Sequence, residues 1–259
     1  MEKDIINMTN YEIGKEIGHG AFGKVYEIKD ITTDEKYAMK VIDKSHRSFF
    51  KIKDEVLIQR SFKHPNIVKI EKSFETNEKV VIIMEKCGKD LLSYKNEKLG
   101  KIDFQESKDI FFQICSAVDY IHRQGYAHRD LKPENVMNCG KKWKLIDFGY
   151  AIKEDAKIIG LCCTLDFAAP ESILADEYNP YFGKPTDIWA MGIILFEMIY
   201  GRTPFSRSTK RETISAILSE PVVFPETPDI PEEIKDLIEK MLAKKVSNRV
   251  DISYVFDKI

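Results

Sequence analysis

The spacing of apolar residues changes character after about the first third of the chain. Up to Met84 they come in short runs rich in aromatic and β-branched residues: Tyr11 to Ile17, Lys24 to Ile28, Tyr37 to Ile42, Ile67 to Ile70 and Val80 to Met84. Such runs predict the strands of a small sheet. From Phe104 to Gln124 the period becomes helical, with Ile110, Phe111, Ile114, Ala117, Val118 and Ile121 on one face and Gln124-Gly125 as a stop. A further apolar run, Trp143 to Ile146, predicts a strand. Between this helix and strand lies His128-Arg129-Asp130-Leu131-Lys132-Pro133-Glu134-Asn135, and just beyond the strand Asp147-Phe148-Gly149. A polar cluster of this density between apolar elements reads as a site rather than a core segment.

At 259 residues, 43% hydrophobic and 11% aromatic, the chain has room for one large domain or two modest lobes. Its net charge of −2, with 32% charged residues, indicates neither nucleic acid nor an anionic membrane as a partner. The five cysteines, Cys87, Cys115, Cys139, Cys162 and Cys163, lack zinc-site spacing, and their odd number argues against a disulfide framework. A reducing, cytoplasmic or nuclear setting is the expectation. The amino terminus has neither the basic region nor the apolar core of a signal peptide, and the apolar stretch from Ile188 to Ile199 is interrupted by Glu197.

The chemistry of the cluster follows from its residue types. Asp130 and Asp147 flank a carboxamide, Asn135, and an ammonium, Lys132, so hard oxygen ligands and positive charge can converge on one small volume. Few oxygen ligands beside a lysine suit Mg²⁺ shared with phosphate better than a calcium cage. Phosphoryl transfer needs an oriented nucleophile, metal on the phosphate oxygens and fixed positive charge. A polar turn bonded to its own backbone would explain any one of these residues alone, but not all together. Upstream, Gly18-His19-Gly20-Ala21-Phe22-Gly23 joins two predicted strands, and glycines let backbone N–H groups approach phosphates closely. A dinucleotide-binding fold would place a helix directly after such a loop, whereas Lys24-Val25-Tyr26-Glu27-Ile28 reads as strand. Lys40, amid Tyr37-Ala38-Met39 and Val41-Ile42, is costly there unless it meets an anion.

His128 to Asn135 together with Asp147 to Gly149 closely resembles the catalytic loop and metal-binding triplet of the eukaryotic protein kinases, and Lys132-Pro133-Glu134-Asn135 resembles their serine/threonine branch. The resemblance runs from Tyr11 to Ile259 and is nearest to the calmodulin-dependent and checkpoint-type kinases. It implies an α+β, two-lobed fold: a small antiparallel sheet with one helix (about residues 1–85), a hinge (85–89) and a larger, mainly helical lobe (90–259). It also implies that Asp130 accepts the proton of the substrate hydroxyl, Lys132 neutralises the transferring group, and Asn135 and Asp147 hold magnesium. Lys40 would grip the α- and β-phosphates and pair with Glu55 on a helix from Phe49 to Phe62. Ile17, Gly18, Gly20, Gly23, Val25, Ala38, Met84, Glu85, Cys87 and Met137 would surround ATP, and Thr164 would contact Asp130 and Lys132. By the same likeness, Asp187 anchors the catalytic-loop backbone from a buried helix reaching Tyr200, and Arg249 pairs with Glu171 of Ala169-Pro170-Glu171. Lys210 to Leu218, Pro231 to Ala243 and Ile252 to Ile259 form the closing helices.

Several positions depart from the family pattern. Gln59 puts a polar group into the otherwise largely apolar column completed by Ile70, His128 and Phe148, and must find a hydrogen bond. Cys163 stands where glycine is usual, and Phe167 replaces a tyrosine. Between Gly149 and Thr164 there is Tyr150 but no serine or threonine. Arg129 therefore lacks an ordinary phosphoacceptor, and Glu154 or Asp155 is expected either to supply permanent charge or to be a solvated loop acid. Cys162-Cys163 either packs or responds to oxidation next to Thr164. The expected function is serine/threonine phosphorylation of protein substrates by a monomer, with Asp90 and Glu134 favouring basic peptides and a regulatory partner left open. No autoinhibitory or calmodulin-binding tail is expected in this chain. The competing reading is a pseudokinase acting as a nucleotide-binding scaffold, although Lys40, Asp130, Asn135 and Asp147 are all present.

Overall fold

The computed structural model describes residues 10–20, 23–44, 49–161 and 164–259. Ala21 and Phe22 of the glycine loop and the Cys162-Cys163 pair lie outside the described residues. The chain divides into two compact units, Met1–Lys63 with Ile67–Gly88, and His64–Asn66 with Lys89–Ile259.

The first unit is a five-stranded antiparallel sheet with one helix: β1 (Tyr11–Gly20), β2 (Gly23–Asp30), β3 (Lys36–Asp43), α1 (Phe49–Ser61), β4 (Ile70–Glu75) and β5 (Lys79–Glu85), in the order β1-β2-β3-β5-β4. β1 and β2 run through the glycines, with His19 opposite Lys24 and Gly20 opposite Gly23. Gly23 has φ +154°, and a Cβ there would lie 2.1 Å from the Val41 carbonyl oxygen, so this glycine is required by its neighbour strand. The strand expected at Ile67 to Ile70 instead begins at Ile70 and continues through Glu75. Ile67 and Val68 are buried without belonging to it. The polar-looking Glu71-Lys72-Ser73 becomes strand because β5 supplies its backbone partners, a contact no local pattern announces.

Strand alternation sorts this sheet into two faces. Ile42, Val80 and Ile82 pack with Val56 of α1 and with Ile70, while Ile28, Met39, Val81 and Ile83 form a second cluster.

The second unit begins with α2 (Leu91–Glu97), capped by Asp90, whose carboxylate accepts both the Ser93 N–H and its hydroxyl, each at 2.8 Å. This helix was not expected. Then come α3 (Phe104–Arg123), β6 (Tyr126–Ala127), the hairpin β7 (Val136–Cys139) and β8 (Lys142–Leu145), and β9 (Ile152–Lys153), which pairs with β6. After α4 (Pro170–Ile173), α5 (Gly183–Tyr200) is buried almost along its whole length and packs on α3. α6 (Lys210–Ser219), α7 (Glu232–Met241) and α8 (Ile252–Lys258) complete the unit, near the limits expected from sequence. The antiparallel sheet with one helix, and the separate mainly helical unit, are the expected fold class. Among the described residues no helix is long and apolar enough to cross a membrane.

One half-buried position is electrostatically unfavourable. Lys244, just past α7, lies with its ammonium 3.6 Å from the Phe205 ring centroid and 5.0 Å from that of Trp189, and donates to the Ala216 carbonyl at 3.4 Å. Among the described residues it has no carboxylate in ion-pair reach. Burial pushes its pKa down to about 8; the Glu220 charge opposes this and Arg249 adds to it. The ring faces recover part of the cost of the charge. Because the unfolded chain holds this proton up to its ordinary value near 10.5, the penalty is fully present below pH 8 and disappears as pH rises toward 10.5. Lys244→Met is therefore expected to stabilise the protein at pH 7 by about 1–2 kcal/mol, discounted for partial exposure. It should also flatten the rise in stability between pH 8 and 10 in urea unfolding. Equal midpoints for both proteins at pH 7 would contradict this.

Candidate active site

In the first unit the register of the sheet brings the nucleotide candidates to one face. Gly18 lies opposite Val25, Val25 opposite Lys40, Lys40 opposite Ile82, and Ala38 opposite Met84. Directly paired residues share a face, so Gly18, Val25, Ala38, Lys40 and Met84 form one surface without any side chain having to reorient. Lys40 Nζ lies 3.4 Å from Glu55 Oε1, with Glu55 buried at 5% exposure. A lysine on this largely apolar face is stable because α1 supplies that carboxylate. Gln59, one turn on, is also buried, and its side-chain amide donates to the Val68 carbonyl at 2.9 Å, which supplies the hydrogen bond this position requires. Ile17 is 40% exposed. Glu85 ends β5, and its carboxylate accepts the Lys69 N–H at 2.7 Å; Cys87 follows, half-buried.

In the second unit the catalytic loop hangs from α5. The Asp187 carboxylate accepts the His128 N–H at 2.8 Å and the Arg129 N–H at 2.7 Å, and His122 Nε2 lies 2.8 Å from the same group. These bonds hold Arg129 in the left-handed region at φ +68°; Asp147 occupies that region at φ +64°. Two non-glycine residues so placed, one beside Asp130 and the other a site carboxylate, are backbone strain that the surrounding bonds must sustain. His128 Nε2 lies 3.1 Å from the Ile146 carbonyl, and its ring is 4.9 Å from that of Phe148.

Asp130 is 4% exposed. Its Oδ2 accepts from Lys132 Nζ at 3.0 Å and Asn135 Nδ2 at 2.9 Å, while Oδ1 accepts no hydrogen bond from the described residues. Burial alone would lower the Lys132 pKa, but the hydrogen bond and charge of Asp130 outweigh it and hold the ammonium above its usual value. Asn135 Nδ2 also donates to the Asp130 carbonyl at 2.8 Å, which leaves its Oδ1 as an acceptor. The Ile146 N–H donates to the Asn135 carbonyl at 3.0 Å, so the strand that carries Asp147 is tied directly to Asn135. One Asp147 oxygen accepts the Gly149 N–H at 3.2 Å. A carboxamide oxygen and a carboxylate with a spare oxygen fit a hard divalent ion whose other ligands are phosphate and water. Among the described residues no group of three His, Cys, Asp or Glu could hold a metal by itself.

Met137 lies in β7 opposite Lys144, and forms a bridge with Asp90. Thr164 is exposed and starts the turn Leu165–Phe167; its side chain makes no hydrogen bond to Asp130 or Lys132, so the implied contact is not formed in this structure. Glu154 does not complement Arg129. It is paired with Lys184, whereas the Arg129 guanidinium donates to the Tyr150 carbonyl at 3.3 Å and the Tyr181 hydroxyl at 3.5 Å. Two supporting residues were not singled out from sequence. Asn66 Nδ2 donates to the Trp143 carbonyl at 2.8 Å and to Gln113 Oε1 at 3.1 Å, and Gln113 Oε1 accepts the Trp143 N–H at 2.9 Å. Both brace β8, which delivers Asp147; only the polarity of Gln113 within a helix seated under the loop hinted at this.

Comparison with known proteins agrees with this geometry. The profile of the protein kinase domain matches residues 11–258. An Aurora kinase of Candida glabrata is 34% identical over 259 residues, spanning 96% of this chain and 70% of that protein. CBL-interacting protein kinase 11 of Oryza sativa is 34% identical over 97% of this chain and 51% of its own length. The SNF-related serine/threonine-protein kinase of Homo sapiens is 33% identical over 95% of this chain and 32% of its own length. With the motif geometry in place and the profile covering nearly every residue, the chain belongs to the protein kinase domain family, whose members use ATP and a divalent cation.

Proposed function

We propose that this chain is a serine/threonine protein kinase that transfers the γ-phosphoryl group of Mg-ATP to protein hydroxyls. The observation that carries the reading is Asp130: a buried carboxylate with one oxygen held by Lys132 and Asn135 and the other open to a hydroxyl proton. Lys132, kept charged by that pairing, opposes the negative charge that spreads over the transferring group. In the first unit Lys40 takes the α- and β-phosphates, with Glu55 restraining its ammonium, and Gly18, Val25, Ala38 and Met84 form the nucleotide-facing surface. Asn135 Oδ1 and Asp147 would hold magnesium, which when bound neutralises phosphate charge. Glu134, exposed and without a hydrogen-bonding partner among the described residues, is the basis for a modest preference for basic peptides; the Asp90 carboxylate is engaged in capping α2.

The loop before Thr164 offers no serine or threonine to phosphorylate, and Arg129 is already engaged by Tyr150 and Tyr181. Unphosphorylated recombinant protein is therefore expected to transfer label from γ-labelled ATP to serine- and threonine-containing peptides without an upstream kinase, and not to tyrosine peptides. Nucleotide binding without any label transfer would favour the pseudokinase scaffold. Transfer that begins only after treatment with another kinase would remove the self-sufficient reading.

A further inference from the structure

Lys244 is a half-buried amine that the chemistry above does not use. It follows α7, and its Nζ lies 3.6 Å from the Phe205 ring centroid and 5.0 Å from that of Trp189, both rings being buried. Its hydrogen-bond acceptor is the Ala216 carbonyl of α6, at 3.4 Å. Glu220, whose charge is felt at this site, is bound to Arg207 instead. Arg249 brings a second cation to Trp189, with its guanidinium 5.1 Å from the same ring centroid. The slot is therefore built of two rings and one carbonyl, with a like charge beside it. Such surroundings can use an N–H of the side chain, but not its charge.

We infer that Lys244 is an acylation site: its amine attacks the carbonyl carbon of an acyl thioester, a C–N bond forms, the C–S bond breaks, and the thiolate leaves with the proton that Nζ sheds. A secondary amide suits the slot better than an ammonium. It keeps an N–H to donate to the Ala216 carbonyl and carries no charge that needs a counter-ion. The attraction of the rings for a cation is lost, but so is the cost of holding that cation beside Arg249 without a carboxylate. Half-burial leaves the side chain within reach of a reagent in solvent. The same surroundings prepare the reactant. Burial pushes the Lys244 pKa down to about 8, with Glu220 opposing the shift and Arg249 adding to it. At pH 7 about one chain in ten then carries the neutral amine, against roughly one in three thousand at the ordinary 10.5. A less basic amine is a weaker nucleophile, which gives back part of this gain.

The test is acetylation of the wild-type protein by acetyl-coenzyme A at pH 7, stopped below one acetyl group per chain and mapped by peptide mass spectrometry. Lys245, next in the chain and exposed, is the internal standard. Lys244 is expected to react on the order of tenfold faster than Lys245 in the folded protein. In urea, where the slot is gone, the two should react alike. Protein acetylated at Lys244 should melt at a higher temperature than the unmodified chain. Lys244→Gln, its neutral amide analogue, should shift the melting temperature in the same direction, whereas Lys244→Arg should not. Equal rates at the two lysines in the folded protein, or a preference that survives in urea, would overturn the proposal. So would a lower melting temperature of the Lys244-acetylated protein.

Discussion

Asp130→Asn is expected to lower turnover by roughly 10²- to 10⁴-fold, the contribution of a positioned general base, with little change in melting temperature. The substitution keeps the shape of the side chain. An asparagine carbonyl oxygen can still accept from Lys132 and Asn135, which now donate to Oδ2 at 3.0 and 2.9 Å. What disappears is the basicity of the oxygen that no described residue engages. Lys132 also loses the charge that keeps its ammonium above its usual pKa, so two functions weaken together. Asp147→Asn should fall by a comparable factor for a different reason, loss of metal affinity, and raising the magnesium concentration should recover part of its activity but none of that of Asp130→Asn. Steady-state kinetics with titrated magnesium separate the cases. An Asp130→Asn enzyme within about tenfold of wild type would mean that the carboxylate is not the base.

Arg249→Ala is expected to be the most destabilising single substitution, and to act far from the chemistry. The guanidinium side chain is 1% exposed and binds Glu171 with both terminal nitrogens, at 2.6 and 2.9 Å. It also donates to the Pro185 carbonyl at 2.9 Å and to the Ala243 carbonyl at 3.0 and 3.1 Å, and it stacks over Trp189. Deleting it leaves Glu171 uncompensated and three carbonyl contacts unsatisfied, a loss of about 3–5 kcal/mol. For a chain of this size that corresponds to a fall of roughly 6–20 °C in melting temperature. Arg249→Lys keeps the charge but not the planar fork, and should recover less than half of the loss. Activity of Arg249→Ala measured well below its melting point should exceed that of Asp130→Asn. A melting temperature within about 2 °C of wild type would show that the pair is dispensable.

The site was legible in sequence where chemistry is dense and local. The spacing from His128 to Asn135 and on to Asp147 is short enough for the sequence to bring a base, a cation and two oxygen ligands together, and the structure ties them with bonds inside that same stretch. Long helices were legible because their period repeats over many residues: Phe104–Arg123 ends within one residue of its expected limit. Where the signal was a short run, it failed. Ile67 and Val68 looked like strand and are not, whereas Glu71-Lys72-Ser73 looked polar and is.

Distant carboxylate–cation pairs implied by the family likeness, Lys40 with Glu55 and Arg249 with Glu171, are formed, but others were open until the fold existed. Glu154 could be assigned to Arg129 by reasoning from charge, yet Lys184, thirty positions further on, claims it. Lys95 and Glu197 are separated by 102 residues, and nothing in either neighbourhood marks them as partners. The sequence alone thus determined which functional groups this protein possesses and the two periodic patterns that carry them, because both are properties of neighbours along the chain. The tertiary structure decided which oxygen of Asp130 stays open, which acids are already spent and where the edge strand lies. Those outcomes depend on which distant partner reaches a buried group first, and burial makes leaving such a group unpaired too costly for the choice to remain open.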